Sequence, residues 1–197
     1  GSTPRTCLGY QDMEDLTSRP PRDGVITATD EISETWDAQT DIRGTVHVAV
    51  ASPGYAASAP DGVVTFSTPP YYEIESMQSL LQQHDVIGVL GPDNAYTAAY
   101  IRDLKYATGS RIISGIVSSS SGEIVSLRSL LVQNPSLLII TGGEDVPNIV
   151  AKAREFGLTG PIMVSSWIGE DATIANDSRM EGVYTAKRMS DISSHQF

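Results

Sequence analysis

The chain has 197 residues, of which 40% are hydrophobic and 19% charged, values that are typical of a globular protein with a buried core. Its formal net charge of −11, with only 13 basic residues, argues against nucleic acid and against an anionic membrane surface as partners. Small molecules and proteins remain as partner classes.

Residues 1–23 are polar, contain two consecutive prolines and lack periodicity, so we interpret them as a tail or linker. Cys7 is the only cysteine and therefore has no partner for an internal disulfide. From residue 24 onward, predicted strands and helices alternate. The predicted strands cover 24–29, 45–52, 63–68, 85–92, 111–117, 136–141, 161–167 and 182–188. The predicted helices cover 30–41, 69–84, 93–108, 118–134 and 145–156, and residues 52–62 are predicted to form a loop.

Short, continuously apolar strands that alternate with helices are typical of βαβ units on a parallel sheet. The predicted fold class is therefore α/β, a doubly wound parallel sheet with helices on both faces. In such sheets ligands bind at the carboxyl ends of the strands, so the loops after the strands are the candidate sites.

The chain lacks the common catalytic motifs, including GxSxG, the P-loop and HExxH, and an enzyme is not expected. Its three histidines are far apart and have no partner at ligand spacing, so no metal and no cofactor is predicted. His47 is interpreted as a core residue within a strand. Asp93 is interpreted as the N-cap of a helix, and a residue of Ser118–Ser121 as the cap of the next helix, with Glu123 in its first turn. The open N-terminus of that helix is also a candidate anion site.

Several aromatic residues lie near the candidate loops. Tyr71 and Tyr72 are predicted to precede a helix that begins at residue 73, and Tyr96 lies in the turn after the strand 85–92. Trp167 is predicted to end the buried strand 161–167, either as core filling or as the wall of a cleft. The turn TGGED, residues 141–145, starts a helix and is also a candidate ligand contact through Glu144.

The stretch LLIITGGEDVPNIVAKAREFGLTGPIMVSSW resembles the second lobe of type I periplasmic binding proteins, the branched-chain amino-acid-binding and receptor ligand-binding family. The segments VHVAVASPGYAAS, VVTFSTPPYYEIESMQSLLQ, DVIGVLGPDNAYTAAYIRDLK and IANDSRMEGVYTA resemble further parts of that family in the same order. The similarity covers roughly residues 24–188. Each motif is loose by itself, and their order carries the resemblance.

The resemblance implies a periplasmic-binding-like α/β domain over residues 24–197, with 24–52 as a remnant of the first lobe and 63–188 as the second lobe. Further first-lobe units and the helices that return to that lobe have no counterpart in the sequence, so a truncated first lobe is expected. The implied function is non-catalytic ligand binding, as a solute-binding or sensor domain, and the implied location is extracytoplasmic, either periplasmic or extracellular.

The same resemblance places ligand contacts at Ser52, Tyr55, Ala56, Tyr96, Glu144 and Trp167. Ala56 stands where amino-acid binders present a hydroxyl, and no carboxylate directly follows the strand 161–167. A standard α-amino acid is therefore not the expected ligand. The aromatic residues and Glu144 suit an aromatic-walled site for a small, cationic solute. A homodimer, or a membrane receptor or transporter, is the expected macromolecular partner.

Two other functions stay open at this point. One is a receptor ectodomain or interaction module that dimerises and binds no small ligand. The other is a receiver-like or hydrolase-like α/β enzyme, for which clustered acids or a serine–histidine pair at the strand ends would be required.

Overall fold

The computed structural model describes residues 24–27, 33, 46–50, 53–56, 59, 63–65, 69–117, 122–169 and 171–186. The chain divides into two compact units, Gly1–Pro69 and Pro70–Phe197. The predicted tail 1–23 and nearly all of the predicted helix 30–41 lie outside the described residues.

The first unit contains a parallel sheet in the order β1-β2-β3, formed by Gly24–Thr27, Val46–Ala49 and Val63–Thr65. His47 is buried, and its Nε2 lies 2.8 Å from the hydroxyl oxygen of Thr27, which confirms its interpretation as a core residue. A short helix α1, Pro53–Ala56, replaces the first part of the predicted loop 52–62. The strand β3 pairs with β2 in this unit. The division into a first-lobe remnant, 24–52, and a second lobe, 63–188, stays a prediction.

The second unit contains five parallel strands in the order β5-β4-β6-β7-β8. The strands are β4 Val86–Pro92, β5 Arg111–Val117, β6 Leu137–Ile140, β7 Ile162–Val164 and β8 Val183–Thr185. All four residues of β6 are buried, as expected for a central strand that is covered on both faces.

Helices cover both faces of this sheet. They are α2 Pro70–Ser76, α3 Gln78–Leu81, α4 Ala95–Ala107, α5 Glu123–Leu131, α6 Val146–Glu155, α7 Ser166–Gly169 and α8 Ala172–Ala175, with a 3₁₀ turn at Ser178–Met180. Leu137 and Ile139 point into the core under α2, α3 and α4, while Leu138 and Ile140 point into the core under α5 and α6. This alternation along one strand follows from its two-residue period, and it confirms the predicted parallel α/β class.

Several local predictions are wrong. The predicted helix 69–84 is broken at Met77, and Tyr71 and Tyr72 lie within α2 rather than before the helix. The strand predicted to reach residue 167 ends at Val164, because the backbone turns there into α7. Trp167 therefore lies on a helical turn.

The two predicted helix caps are the other corrections. Asn94, and not Asp93, caps α4, because its side chain accepts a hydrogen bond from the amide of Thr97 at 2.9 Å. Gly122, and not a residue of Ser118–Ser121, holds the N-cap position of α5, and it has no side chain that could cap the helix. Residues 118–121 are outside the described part of the chain, and with them most of the loop proposed as an anion site.

Two features are absent from the described ranges. None of the helices there is long and apolar enough to cross a membrane. No group of three or more His, Cys, Asp or Glu residues there is arranged to bind a metal ion.

Candidate ligand-binding site

Two aromatic rings meet at the carboxyl edge of the second unit's sheet. Tyr96 lies in the first turn of α4, and Trp167 lies on α7, directly after β7. Their ring centroids are 6.4 Å apart with an interplanar angle of 85°, which is an edge-to-face contact. Tyr96 is 5% exposed, whereas Trp167 is 46% exposed. We call these two residues the aromatic shelf, since a buried ring supports one that is half open to solvent.

The loop between β6 and α6 adjoins the shelf through Gly142. A Cβ atom at this position would lie 2.8 Å from Cδ of Pro92 and 3.6 Å from Cζ2 of Trp167. The loops that follow β4, β6 and β7 therefore meet at one point, and only glycine leaves space for that approach.

A buried carboxylate fixes the loop that carries Trp167. Glu73 lies in the first turn of α2 and is 8% exposed. Its Oε2 accepts hydrogen bonds from the amide of Ser166 at 3.1 Å and from the hydroxyl of Ser166 at 2.8 Å. Its Oε1 accepts a hydrogen bond from the hydroxyl of Tyr100 at 2.8 Å. The residue before Trp167 is thus held through both its backbone and its side chain.

The environment of Tyr100 has an electrostatic consequence. Burial, and then the neighbouring charge of Glu73, raise the pKa of the Tyr100 phenol well above its ordinary value. The phenol therefore stays protonated and remains a hydrogen-bond donor to Glu73 through the physiological range.

A pair of threonine hydroxyls joins α4 to the end of β6. Oγ1 of Thr97 lies 2.9 Å from Oγ1 of Thr141, and the Thr141 hydroxyl also donates to the carbonyl of Leu90 at 3.4 Å. A Cβ atom at Gly91 would collide with the Thr141 hydroxyl and lie 2.8 Å from Oγ1 of Thr97. The glycine in β4 makes room for this buried pair, which sets the position of Tyr96 one residue before Thr97.

A second buried carboxylate holds the turn TGGED. Glu123, in the first turn of α5, is 9% exposed, and its Oε1 accepts a hydrogen bond from the amide of Glu144 at 2.9 Å. Asp145 caps α6 by accepting from the amide of Asn148 at 3.1 Å. The turn therefore starts α6, as predicted, while the side chain of Glu144 is exposed to solvent.

The predicted site residues fall into two groups. Tyr96 and Trp167 are in contact, and Glu144 belongs to the loop that adjoins them through Gly142. Ser52, Tyr55 and Ala56 belong to the first unit. Ala56 is partly buried in α1, and Ser52 and the side chain of Tyr55 lie outside the described part of the structure. Their role stays a prediction.

The sequence analysis missed the residues that hold the loops in place. Glu123 was interpreted only as a favourable acid in the first turn of a helix. No role was predicted for Glu73. An acid in a first helical turn is a common feature that a helix dipole explains. The one further signal was at Glu123, where residues 112–122 and 124–127 are all uncharged, a pattern that is compatible with burial.

No family model and no curated protein matches the chain. Solved structures do match it. An extracellular ligand-binding receptor from Verminephrobacter eiseniae ef01-2 superposes with a TM-score of 0.68 and 13% identity, over 90% of this chain and 55% of that one. An extracellular ligand-binding receptor from Rhodopseudomonas palustris HaA2 gives a TM-score of 0.65 and 17% identity, over 89% and 52% of the two chains.

A solute-binding protein of an ABC transporter from R. palustris, solved in complex with 4-hydroxybenzoate, gives a TM-score of 0.57 and 8% identity, over 78% and 46%. The chain thus spans about half the length of these three proteins. At such identities the likeness concerns the fold. The chain has the parallel α/β fold of the type I periplasmic binding proteins, over about half the length of its structural neighbours.

Proposed function

We propose that this chain is the ligand-binding part of an extracytoplasmic solute-binding or sensor protein, that it catalyses no reaction, and that the aromatic shelf contacts the ligand. The observation that carries the proposal is Trp167, a large ring that is 46% exposed yet sits on a buried tyrosine and next to an anchored serine. A half-exposed aromatic ring that is held rigidly loses little conformational entropy on binding. The chain's structural neighbours are described as extracellular ligand-binding receptors and ABC transporter proteins, which supports an extracytoplasmic location and an ABC transporter or receptor as partner.

The proposed ligand is a small organic cation with a flat apolar part. An exposed indole attracts cations through its π face. The residues that follow β4, β6 and β7 include Asp93, Glu144, Asp145, Glu170 and Asp171, and the segments 92–94, 141–145 and 165–171 contain no basic residue. The guanidinium of Arg179 reaches Asp145 at 3.8 Å, and it is held more closely by Asp177 at 2.6 Å. These charges disfavour an anionic ligand.

The ligand class is tested with three probes of similar shape and different charge: benzyltrimethylammonium, benzyl alcohol and benzoate. A Trp36→Phe background leaves Trp167 as the only tryptophan, so its fluorescence reports binding at the shelf. We expect the cation to bind roughly 5- to 30-fold more tightly than the neutral probe, because a cation–π contact contributes about 1–2 kcal/mol. Benzoate as the tightest probe would contradict the proposed charge.

A thermal-shift screen against amines, polyamines, amino acids, aromatic acids, purines and sugars extends the search for a natural ligand. A ligand present at about 100 times its dissociation constant adds roughly 2.7 kcal/mol to stability. A stabilising compound that leaves Trp167 fluorescence unchanged would show that the chain binds ligands away from the shelf.

Two variants test the site residues. We expect Trp167→Ala and Glu144→Gln to weaken ligand binding at least about fivefold and to leave the fold intact, since both side chains are exposed. Tyr106→Ala is the matched control, because this exposed ring lies at the far end of α4. Unchanged affinity in both test variants would exclude the shelf as the binding site.

A dimerising interaction module is the second candidate. The specific observation in its favour is the exposure of Val125 and Val132, which are seven residues apart and so share one side of α5 and its C-terminal end. Failure of every compound in the screen, together with a dimeric mass by sedimentation, would favour this function over solute binding.

A further inference from the structure

We propose that Glu73 and Glu123 are a pair of positioning residues that fix the aromatic shelf before a ligand arrives. The inference rests on the proposed function, and the observations that carry it are two hydrogen bonds between buried glutamates and loop amides. Each glutamate lies in the first turn of a helix, and each accepts the backbone amide of a residue in a loop at the carboxyl edge of the sheet.

The two glutamates reach the loops from opposite faces of the sheet. Ile74, next to Glu73, belongs to the core under α2, α3 and α4, whereas Leu127, one turn after Glu123, belongs to the core under α5 and α6. The amides that they bind follow neighbouring strands, since Glu144 comes after β6, Ser166 comes after β7, and these two strands pair. Two adjacent loops are therefore held from two sides.

Because both carboxylates are buried, breaking these hydrogen bonds would be costly in free energy. A carboxylate that is removed from water is costly unless donors replace the water, and an unpaired buried amide is costly as well. Glu73 and Glu123 are 8% and 9% exposed, and each shares its hydrogen bond with a loop amide. A displacement of the loop after β7 would break a bond that is buried on both sides, between Glu73 and the amide of Ser166. A displacement of the loop after β6 would take a donor away from the buried carboxylate of Glu123.

Trp167 lies where the two held loops meet. Ser166, the target of Glu73, directly precedes it, and Gly142, two residues before the target of Glu123, approaches its ring. The glutamates therefore act on the ligand through the placement of the ring. A ring that is already in place needs no ordering when the ligand binds, which favours affinity.

The experiment measures amide hydrogen exchange by NMR in the ligand-free protein. We expect Glu73→Ala to speed exchange of the Ser166 amide, and Glu123→Ala to speed exchange of the Glu144 amide, each by about tenfold or more. The amide of Ile139, within β6, should be unaffected. Glu73→Gln and Glu123→Gln keep an acceptor oxygen and should restore most of the protection.

Glu75→Ala is the matched control, because Glu75 is an exposed acid on the same helix as Glu73. It should leave the exchange of both loop amides unchanged. If Glu73→Ala does not fold, Ser166→Ala replaces it. That variant removes only the hydroxyl donor, and we expect faster exchange of its own amide and a changed Trp167 emission in the Trp36→Phe background.

Loop amides that exchange no faster than in the unmodified protein would overturn the inference. So would equal acceleration of all amides, because the glutamates would then support only the global fold. The affinity of the same variants for benzyltrimethylammonium separates this result from the proposed function. Local loop release without any probe binding in the unmodified protein would support the positioning role and reject the solute-binding proposal.

Discussion

The turns at the two edges of the second unit's sheet are stabilised in different ways. At the amino edge, the turns that follow α5 and α6 contain Asn134 and Gly157, whose φ angles of 51° and 92° lie in the left-handed region that is common after helix ends. Exposed Arg154 donates from Nη1 to the carbonyls of Leu158 at 3.1 Å and Gly160 at 2.6 Å. At the carboxyl edge, by contrast, buried side chains hold the turns.

The two edges also differ in the groups that surround their turns. The amino edge has a hollow of about 430 Å³, lined by Leu131, Asn134, Pro135, Ser136, Phe156, Gly157, Leu158, Thr159 and Gly160. Its turns depend on backbone conformation and an exposed cation, so a side chain there is replaceable. The carboxyl edge combines buried carboxylates and hydroxyls with a half-exposed indole, an arrangement that agrees with the proposed positioning of Trp167.

Glycine substitutions give the largest expected contrast between the edges. Gly91→Ala should destabilise the protein by about 3 kcal/mol, because its Cβ would overlap the Thr97–Thr141 hydroxyl pair. A Cβ atom at Gly109, near the amino edge, would have no other atom within 4 Å, so Gly109→Ala should stabilise the protein by roughly 0.5 kcal/mol. Urea unfolding measures the change in stability of both variants. Equal changes would show that the two edges do not differ in how tightly their glycines are packed.

The Tyr100–Glu73 contact predicts a pH dependence. Since the pKa of Tyr100 is raised in the folded state, its contribution to stability is complete below the unfolded pKa of about 10 and is lost as pH rises through the folded value. We expect Tyr100→Phe to cost about 1 kcal/mol at pH 7 and to lose less stability than the unmodified protein between about pH 10 and 12.

Chemical denaturation across this pH range measures the effect. Tyr106→Phe is its control, since the Tyr106 ring is exposed at the end of α4. A parallel loss of stability in the Tyr100→Phe variant and the unmodified protein would show that the phenol is not the group responsible.

Arg154 gives the smallest expected effect. Arg154→Met removes two hydrogen bonds at the amino edge, and because they are exposed we expect a loss of about 1 kcal/mol or less. Trp167 emission in the Trp36→Phe background should not change. A shifted emission would show that a change at the amino edge alters the surroundings of Trp167, so the two edges would not be independent.

The sequence alone determined the parallel α/β class and the order of the eight described strands. Apolar runs such as 137–140 are recognisable because burial on both faces removes every polar position from a central strand. The resemblance in the order of the motifs predicted the periplasmic-binding fold that the solved structures share. Trp167 and Tyr96 were identified as aromatic residues near the strand ends, since a parallel sheet brings those ends together.

Only the tertiary structure decided how these residues are arranged. Glu73 and Ser166 are 93 positions apart, and no local periodicity relates two such residues. The turn of the backbone into α7 after Val164 was also not predictable from the sequence, because Ser165 and Ser166 continue a strand pattern as readily as they leave it. Local spacing reports which face of an element is apolar, while the pairing of a buried carboxylate depends on where distant segments meet.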